Sequence, residues 1–371
     1  MPSEIFSESD RLYMKRCLQL AANGIGSCSP NPMVGAVIVR DEKIIGEGWH
    51  RKAGSPHAEP NAINSVKNQE WLKESTLYVS LEPCSHYGKT PPCADLIIQK
   101  QIPRVVIGSL DPFQLVSGRG VAKLLEAGVD VKVGLEKSAC LELNKRFFTF
   151  CSKKRPFIIL KWAQTSDGFM DSKRKPGINQ APLTISSPLT KMLVHKLRSE
   201  CDAILVGTKT ALMDNPRLNV RDWHGNSPVR AVIDRQLVLP EDLHIFDKSG
   251  QTIVFTEKTK KNSETVCYVH IDFNTNPIEQ ILKELYKRNL HTLLVEGGPT
   301  LLNSFLKAGA WDEIHIETSP VMIGDGVQTP DFNGISCTMI GEEFYGENQS
   351  FRRVQTFRHP FALDFIEKIS D

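Results

Sequence analysis

An α/β fold in two successive domains is the architecture this sequence predicts. Three observations carry it. The chain has 371 residues, more than one hydrophobic core comfortably accommodates. Apolar runs of strand length alternate with amphipathic stretches of helix length through both halves. A basic polar segment, SKKRP at 152–156, separates the two series and sets the expected domains at 1–151 and 152–371.

In the first series, residues 8–23 read as a helix with Leu12, Cys17, Leu18 and Ala21 on one face. MVGAVIV (33–39) and KIIGEGW (43–49) read as hairpin strands about Arg40, Asp41 and Glu42. HAEPNAINSVK (57–67) reads as a helix, because Pro60 falls in its first turn, where no amide is needed. Strands are then expected at 76–82, 104–110 and 129–134, and helices at 92–100, 119–127 and 136–151. In the second series, strands are expected at 157–164, 202–207, 229–234, 252–256, 266–271, 291–296 and 313–318. Helices are expected at 187–200, 277–289 and 299–308. Residues 171–183 are charged and carry Pro and Gly, which predicts a mobile loop. No internal repeat or low-complexity tract is present.

Composition narrows the function classes. With 40% apolar and 24% charged residues the chain is an ordinary globular protein. A formal net charge of +2 gives no global basic field for nucleic acid. No apolar run reaches the length of about 18 residues that a membrane span needs, and the first residues lack the apolar core of a secretory signal. A cytoplasmic protein is expected. Nine cysteines, mostly scattered singly, read as reduced thiols in that compartment.

The most informative stretch is SLEPCSHYGKTPPC, residues 80–93. Cys84 and Cys93 could form a disulfide, a structural zinc clip or part of a reacting centre. In a reducing compartment, paired cysteines more often mean metal. Upstream, His57-Ala58-Glu59 opens one expected helix, and Cys93 opens another. One imidazole and two thiolates suit Zn²⁺, and three protein ligands leave a fourth position for water, as in a catalytic site. Zinc brings bound water toward ionisation near pH 7. Glu59, two residues from His57, can shuttle protons without binding metal. The conjunction of H-x-E with a later P-C and a further Cys is that of zinc-dependent nucleobase deaminases. A lone His or Cys pair would read as structural; the conjunction is what makes the pattern specific.

In the second half, Gly297-Gly298-Pro299-Thr300 lies between an expected strand and helix, where small residues let backbone amides approach a phosphate. The pattern is not G-x-G-x-x-G and is weak alone, as is Gly207-Thr208 after another strand.

The pieces NPMVGAVIV, GEGWHRKAGSPHAEPNAI, TLYVSLEPCSHYGKTPPC and DPFQLVSGRG resemble the bacterial bifunctional riboflavin biosynthesis proteins. LKWAQTSDGFMD, HKLRSECDAILVGTKTALMDNPRLNVR and LLVEGGPTLLNSFL extend the likeness from about residue 10 to about residue 325. The resemblance implies a cytidine-deaminase-like α/β/α sandwich followed by a dihydrofolate-reductase-like α/β domain. It implies one Zn²⁺ per chain, held by His57, Cys84 and Cys93, with Glu59 as proton donor. It further implies deaminase substrate contacts from Asn31, His50, Lys89 and Asp111. For the second half it implies NADPH contacts from Ala163, Thr210, Asp214 and the run Gly298, Pro299, Thr300, Leu301, Leu302, Asn303 and Ser304, with Thr184 where a Trp usually lines the cofactor. Reductase substrate contacts are implied for Lys161, Arg198, Leu218, Arg221 and Glu296. Arg198 and Arg221 have the chemistry to clamp a phosphate. The family's activities are deamination of a diaminohydroxyphosphoribosylaminopyrimidine and reduction of 5-amino-6-(5-phosphoribosylamino)uracil. The resemblance further implies a homo-oligomer, a dimer or tetramer, formed through the reductase half.

Departures from the family pattern are Pro60 after the H-A-E, Phe113 and Gln114 after Asp111-Pro112, and the stretch 181–187, where Pro182 replaces a common Ser and Thr184 the usual Trp. Three alternatives accordingly stand beside the two-step enzyme: a deaminase of tRNA or free cytosine nucleosides, a non-catalytic zinc scaffold, and an active deaminase joined to a weakened reductase.

Overall fold

The computed structural model describes residues 6–87, 91–112, 117–174, 180–346 and 351–363. The chain divides between Lys153 and Lys154 into two compact units, both α/β.

The N-terminal unit opens with α1 (Glu8–Ala22), started by a reciprocal capping box in which Ser7 and Asp10 satisfy each other's amides. Five strands follow among the helices: β1 (Gly35–Arg40), β2 (Lys43–Trp49), β3 (Thr76–Leu81), β4 (Arg104–Ser109) and β5 (Asp130–Val133). They form one sheet in the order β2-β1-β3-β4-β5. The hairpin pairs are antiparallel, and β3-β4-β5 run parallel, joined by the crossover helices α3 (Cys93–Gln99) and α4 (Arg119–Glu126). Apolar side chains alternate to the two sheet faces. Ile38, Val79 and Ile107 pack with α2 (Ala58–Ser65), while Val37, Tyr78 and Val106 pack with α1. Gly48 lies against α2 so closely that a Cβ would stand 2.3 Å from the Ala62 amide nitrogen, which fixes α2 on the sheet.

One expected element divides. The helix expected over 136–151 is two, α5 (Lys137–Leu143) and α6 (Lys145–Lys153). The break is at Asn144, whose buried amide bonds both the Met33 amide and the Met33 carbonyl at 2.8 Å. A short polar side chain competing for backbone groups is a helix interrupter.

The C-terminal unit is built on a nine-stranded sheet. Its strands are β6 (Phe157–Gln164), β8 (Ala203–Gly207), β9 (Val229–Ile233), β10 (Thr252–Thr256), β11 (Val266–His270), β12 (Thr292–Val295), β13 (Glu313–Thr318), β15 (Thr338–Tyr345) and β16 (Arg352–Arg358). Their order is β11-β10-β9-β8-β12-β6-β13-β16-β15. The run from β11 to β13 is parallel; β16 and β15 close it antiparallel. A two-stranded pair, β7 (Phe169–Asp171) with β14 (Val327–Gln328), stands apart. Helices α7 (Pro188–Ser199), α9 (Pro277–Lys287) and α10 (Pro299–Lys307) match expected spans, whereas α8 (Thr208–Asp214) was not anticipated. The β15–β16 hairpin was missed too. Its residues are half-buried or exposed throughout, so neither strand shows a clean apolar alternation.

Buried His291 precedes β12, and desolvation pushes its pKa down to about 4. In the unfolded chain it titrates near about 6.5. The unfolded state therefore takes up a proton that the native state refuses as pH falls from about 6.5 to 4. The C-terminal unit should be fully stabilised above that window and lose on the order of 3 kcal/mol across it. Urea titrations at pH 7 and 4.5 on wild type and His291→Asn check this: the variant should show a shallower pH dependence.

Candidate active sites

The first site assembles at the carboxyl ends of β3 and β4. His57 is the N-cap residue of α2, Glu59 lies in that helix's first turn, Cys84 follows β3, and Cys93 is the first residue of α3. His57 Nδ1 stands 3.6 Å from Cys84 Sγ and 3.4 Å from Cys93 Sγ, and the three donor atoms lie within 4.8 Å of one another. Ligands of one tetrahedral zinc, bound at about 2.0–2.3 Å, stand roughly 3.5–3.8 Å apart. The donor set therefore fits zinc. The cysteines are free thiols, which removes the disulfide reading.

Within the cluster the two thiols differ. A hydrogen bond from Cys93, aided by His57, pulls the Cys84 thiol down to about 4. Cys93 moves the opposite way, because it faces the Cys84 thiolate and is buried. The Cys93 amide also donates to Cys84 Sγ at 3.3 Å. His57 is raised by its contact with Cys84. Glu59 is 3% exposed, and burial, with the Cys84 charge, pushes its carboxyl up to about 7. Glu59 is not in the ligand cluster, which leaves it free for proton transfer.

Asn31 and His50 are brought together. The Asn31 amide nitrogen lies 3.0 Å from His50 Nε2, and His50 Nδ1 lies 3.1 Å from the Pro56 carbonyl. Burial lowers the His50 pKa, so the neutral ring donates from Nδ1 and accepts at Nε2. Its ring meets His57 edge-on at 5.3 Å, which places both residues beside the ligand cluster. Asp111 follows β4 and is half-buried. Lys89, Phe113 and Gln114 lie outside the described residues.

The second site lies along β6, β12 and α7. Parallel register sets Val295 against Leu160, so Glu296 comes level with Lys161, and His315 of β13 pairs with Lys161 on the other side. Arg198, from α7, grips Glu296 with two bonds, 2.6 and 3.2 Å, and reaches the Asn219 carbonyl at 3.4 Å. Burial works against Glu296's charge, but Arg198 and Lys161 outweigh it and hold its pKa low. Expected as half of a two-arginine phosphate clamp, Arg198 is thus engaged with a carboxylate, and Arg221 is the more open guanidinium of the two. Buried His195 orients the Arg221 segment: its Nδ1 accepts the Arg221 amide at 3.2 Å, and its Nε2 stands 3.2 Å from Asp222. Leu218 is 2% exposed in the core, which leaves its main chain for a ligand. A cavity of about 200 Å³ opens beside Lys161, walled by Thr190, Leu193, Leu197, His315 and Glu317.

Ala163 lies further along β6. Gly298 is the N-cap of α10, and its amide donates to Thr210 of α8 at 3.1 Å. A Cβ on Gly298 would meet only Thr210 Oγ1, at 3.6 Å, so the first turn of α10 stays open to a phosphate. Pro299 and Thr300 form that turn. Leu301 and Leu302 point into the core, Asn303 accepts the Asp331 amide, and exposed Ser304 bonds back to Thr300. The run is therefore split between an open face and the core. Asp214, at the end of α8, is paired with Arg174, which also bonds Asp171 at 2.6 Å. That pairing anchors one end of the loop expected to be mobile. Thr184 is exposed, whereas neighbouring Ile185 is buried.

Sequence reasoning missed Glu82, Arg174, His195 and Glu317. Glu317 accepts Ser186 and Thr190 hydroxyls at 2.6 Å each. The available signal was a charged residue closing an apolar strand, as in TLYVSLE (76–82) and EIHIET (313–318).

Comparison with known proteins gives two family matches. Residues 7–109 match the cytidine and deoxycytidylate deaminase zinc-binding region, and residues 156–342 match the RibD C-terminal domain. A riboflavin biosynthesis protein RibD of Aquifex aeolicus is 42% identical, over 87% of this chain and 90% of that one. The RibD of Escherichia coli K12 is 36% identical, over 92% and 95%. Among solved structures, a Thermotoga maritima diaminohydroxyphosphoribosylaminopyrimidine deaminase/5-amino-6-(5-phosphoribosylamino)uracil reductase superposes with TM-score 0.84 at 36% identity, covering 95% of this chain and 99% of that one. Acinetobacter baumannii RibD superposes with TM-score 0.83 at 30% identity, with the same coverage.

Proposed function

This chain belongs to the RibD family of riboflavin biosynthesis proteins, and from that premise we propose which of its residues carry each of its two reactions. It is a bifunctional enzyme, a pyrimidine deaminase and a reductase. We assign the deaminase to residues 1–151 and the reductase to residues 152–371. The observation that carries the assignment is the His57–Cys84–Cys93 cluster with a buried, non-ligating Glu59 beside it.

Zinc, when bound by those three residues, supplies the Lewis acid that makes water nucleophilic near neutral pH. Glu59 takes a proton from the attacking water, then passes protons to the ring nitrogen and to the departing ammonia. One C–N bond breaks, one C–O bond forms, and the 2-amino group leaves as ammonia. Asn31 and His50, locked to each other beside His57, are assigned with Lys89 and Asp111 to the substrate.

NADPH, when bound, supplies the hydride that converts the ribosyl group to ribityl. The first turn of α10 from Gly298, with Thr210, holds its phosphates; Ala163, Thr184 and Asp214 complete the cofactor wall. Lys161 and Glu296 hold the opened sugar, and Arg221, oriented by His195, meets the phosphate. The alternative of a weakened or altered reductase, raised by the segment at 182–184, is not favoured, because the Lys161, Arg198 and Glu296 grouping is intact.

Among the described residues, no helix is long and apolar enough to cross a membrane. Cytoplasmic localisation and small-molecule phosphoribosylaminopyrimidine substrates complete the reading, with no nucleic-acid partner. A homo-oligomer is supported by edge strand β15, which exposes Met339, Ile340 and Phe344. Light scattering should report a dimer or tetramer, and Phe344→Asp should shift the mass toward the monomer. An unchanged mass would exclude this edge as the interface.

A further inference from the structure

Glu82 sits between β3 and the metal ligand Cys84, and it is 4% exposed. A buried carboxylate needs donors or a countercharge. Four backbone amides donate to it. Its Oε2 accepts Asp111 N at 3.2 Å and Gly118 N at 3.0 Å. Its Oε1 accepts Gly120 N at 2.9 Å and Val121 N at 3.3 Å. The carboxylate thus ties down Asp111, just past the end of β4, and also the first turn of α4. Backbone packing seconds the bond: a Cβ on Gly120 would stand 2.1 Å from the Pro83 carbonyl oxygen, so the 118–121 segment rests directly on the residue between Glu82 and Cys84.

We propose that Glu82 is a positioning residue for deamination, which holds Asp111 in register with the metal ligands by accepting both ends of the 111–118 connection on one carboxylate. The inference rests on the deaminase reading above and adds to it a residue with no contact to metal or substrate. Cys84 and Glu82 belong to one short stretch of backbone; the ladder holds it to β4 through the Glu82 amide on the Ser109 carbonyl at 2.9 Å, and beyond the strand end the Glu82 carboxylate fixes Asp111 itself. A carboxylate has lone pairs for four amides, whereas an amide side chain turns two of those contacts into N–H facing N–H. A displacement of about 1 Å in a substrate-positioning group can cost about 10²-fold in rate.

The test is a double-mutant cycle of Glu82→Gln and Asp111→Asn in the full chain. It is assayed by ammonia release from the diaminopyrimidine phosphate, with zinc content and reductase rate measured on each protein. E82Q should lose about 10²-fold in deaminase kcat/KM while keeping one zinc per chain and the wild-type reductase rate. The E82Q and D111N effects should fail to multiply, because Glu82 holds the Asp111 backbone and so acts through the side chain that D111N alters. A helix-capping role alone would lower thermal stability without that non-additivity. Gly120→Ala displaces the same segment with Glu82 intact and should reproduce the deaminase loss, which covers the case of an E82Q chain that does not fold. Wild-type deamination in E82Q or G120A, independent effects in the cycle, or zinc loss from E82Q overturns the proposal. A wild-type chain that releases no ammonia would instead overturn the deaminase reading itself.

Discussion

Glu59→Ala should reduce ammonia release from the diaminopyrimidine phosphate by about 10³-fold or more, with zinc content and the reductase rate unchanged. General acid–base transfer contributes about 10²–10⁴-fold, and here one carboxyl serves both the attacking water and the leaving group. The environment of Glu59 makes it suitable: it is buried in the first turn of α2, two residues from His57 and outside the ligand cluster. Metal analysis alongside the rate separates its proton role from a ligand role. Retained deamination in the variant would remove Glu59 from the chemistry, and a zinc-free variant would make it a ligand.

The second large effect is expected at Arg198. Arg198→Ala strands the buried Glu296 carboxylate beside Lys161 and removes two charge-assisted bonds, of 2.6 and 3.2 Å. Removing one partner of a buried pair costs about 3–5 kcal/mol of stability, so the C-terminal unit should melt earlier; Glu296, no longer held, should shift, and a displacement of about 1 Å lowers the reductase kcat/KM by about 10²-fold. Deaminase activity should persist. Glu296→Gln keeps a hydrogen-bonding partner for Arg198 and should retain more of the fold than R198A, while still raising KM for the ribosylaminouracil phosphate. Equal reductase rates in wild type and R198A would show that the pair has no part in reduction.

What the sequence made legible follows from how local each feature is. His57, Cys84 and Cys93 sit at element starts marked by Pro and by strand ends, so their meeting could be anticipated from H-A-E and P-C alone. The alternation behind the two sheets was equally legible, because parallel strands such as β8 and β12 are continuous apolar runs. The break at Asn144 depends on Met33, 111 residues away, and no window on the chain contains both. Arg198 finds Glu296 across 98 residues, a carboxylate partner that no local window on the chain shows. Glu82 stood in plain sight in SLEPC, but its four amide donors come from residues 29 to 39 positions downstream and only the fold reveals them. The β15–β16 hairpin escaped because its strands bury no consistent face.

The central claim is that one chain deaminates and then reduces. The most direct test follows ammonia release and NADPH oxidation together on the full chain, starting from the diaminopyrimidine phosphate, with and without a zinc chelator. Ammonia should appear first, with one NADPH consumed per ammonia. Chelation should stop both signals from that substrate but spare NADPH oxidation with the ribosylaminouracil phosphate supplied directly. NADPH oxidation without prior ammonia release, or ammonia release that survives complete removal of zinc, would contradict it.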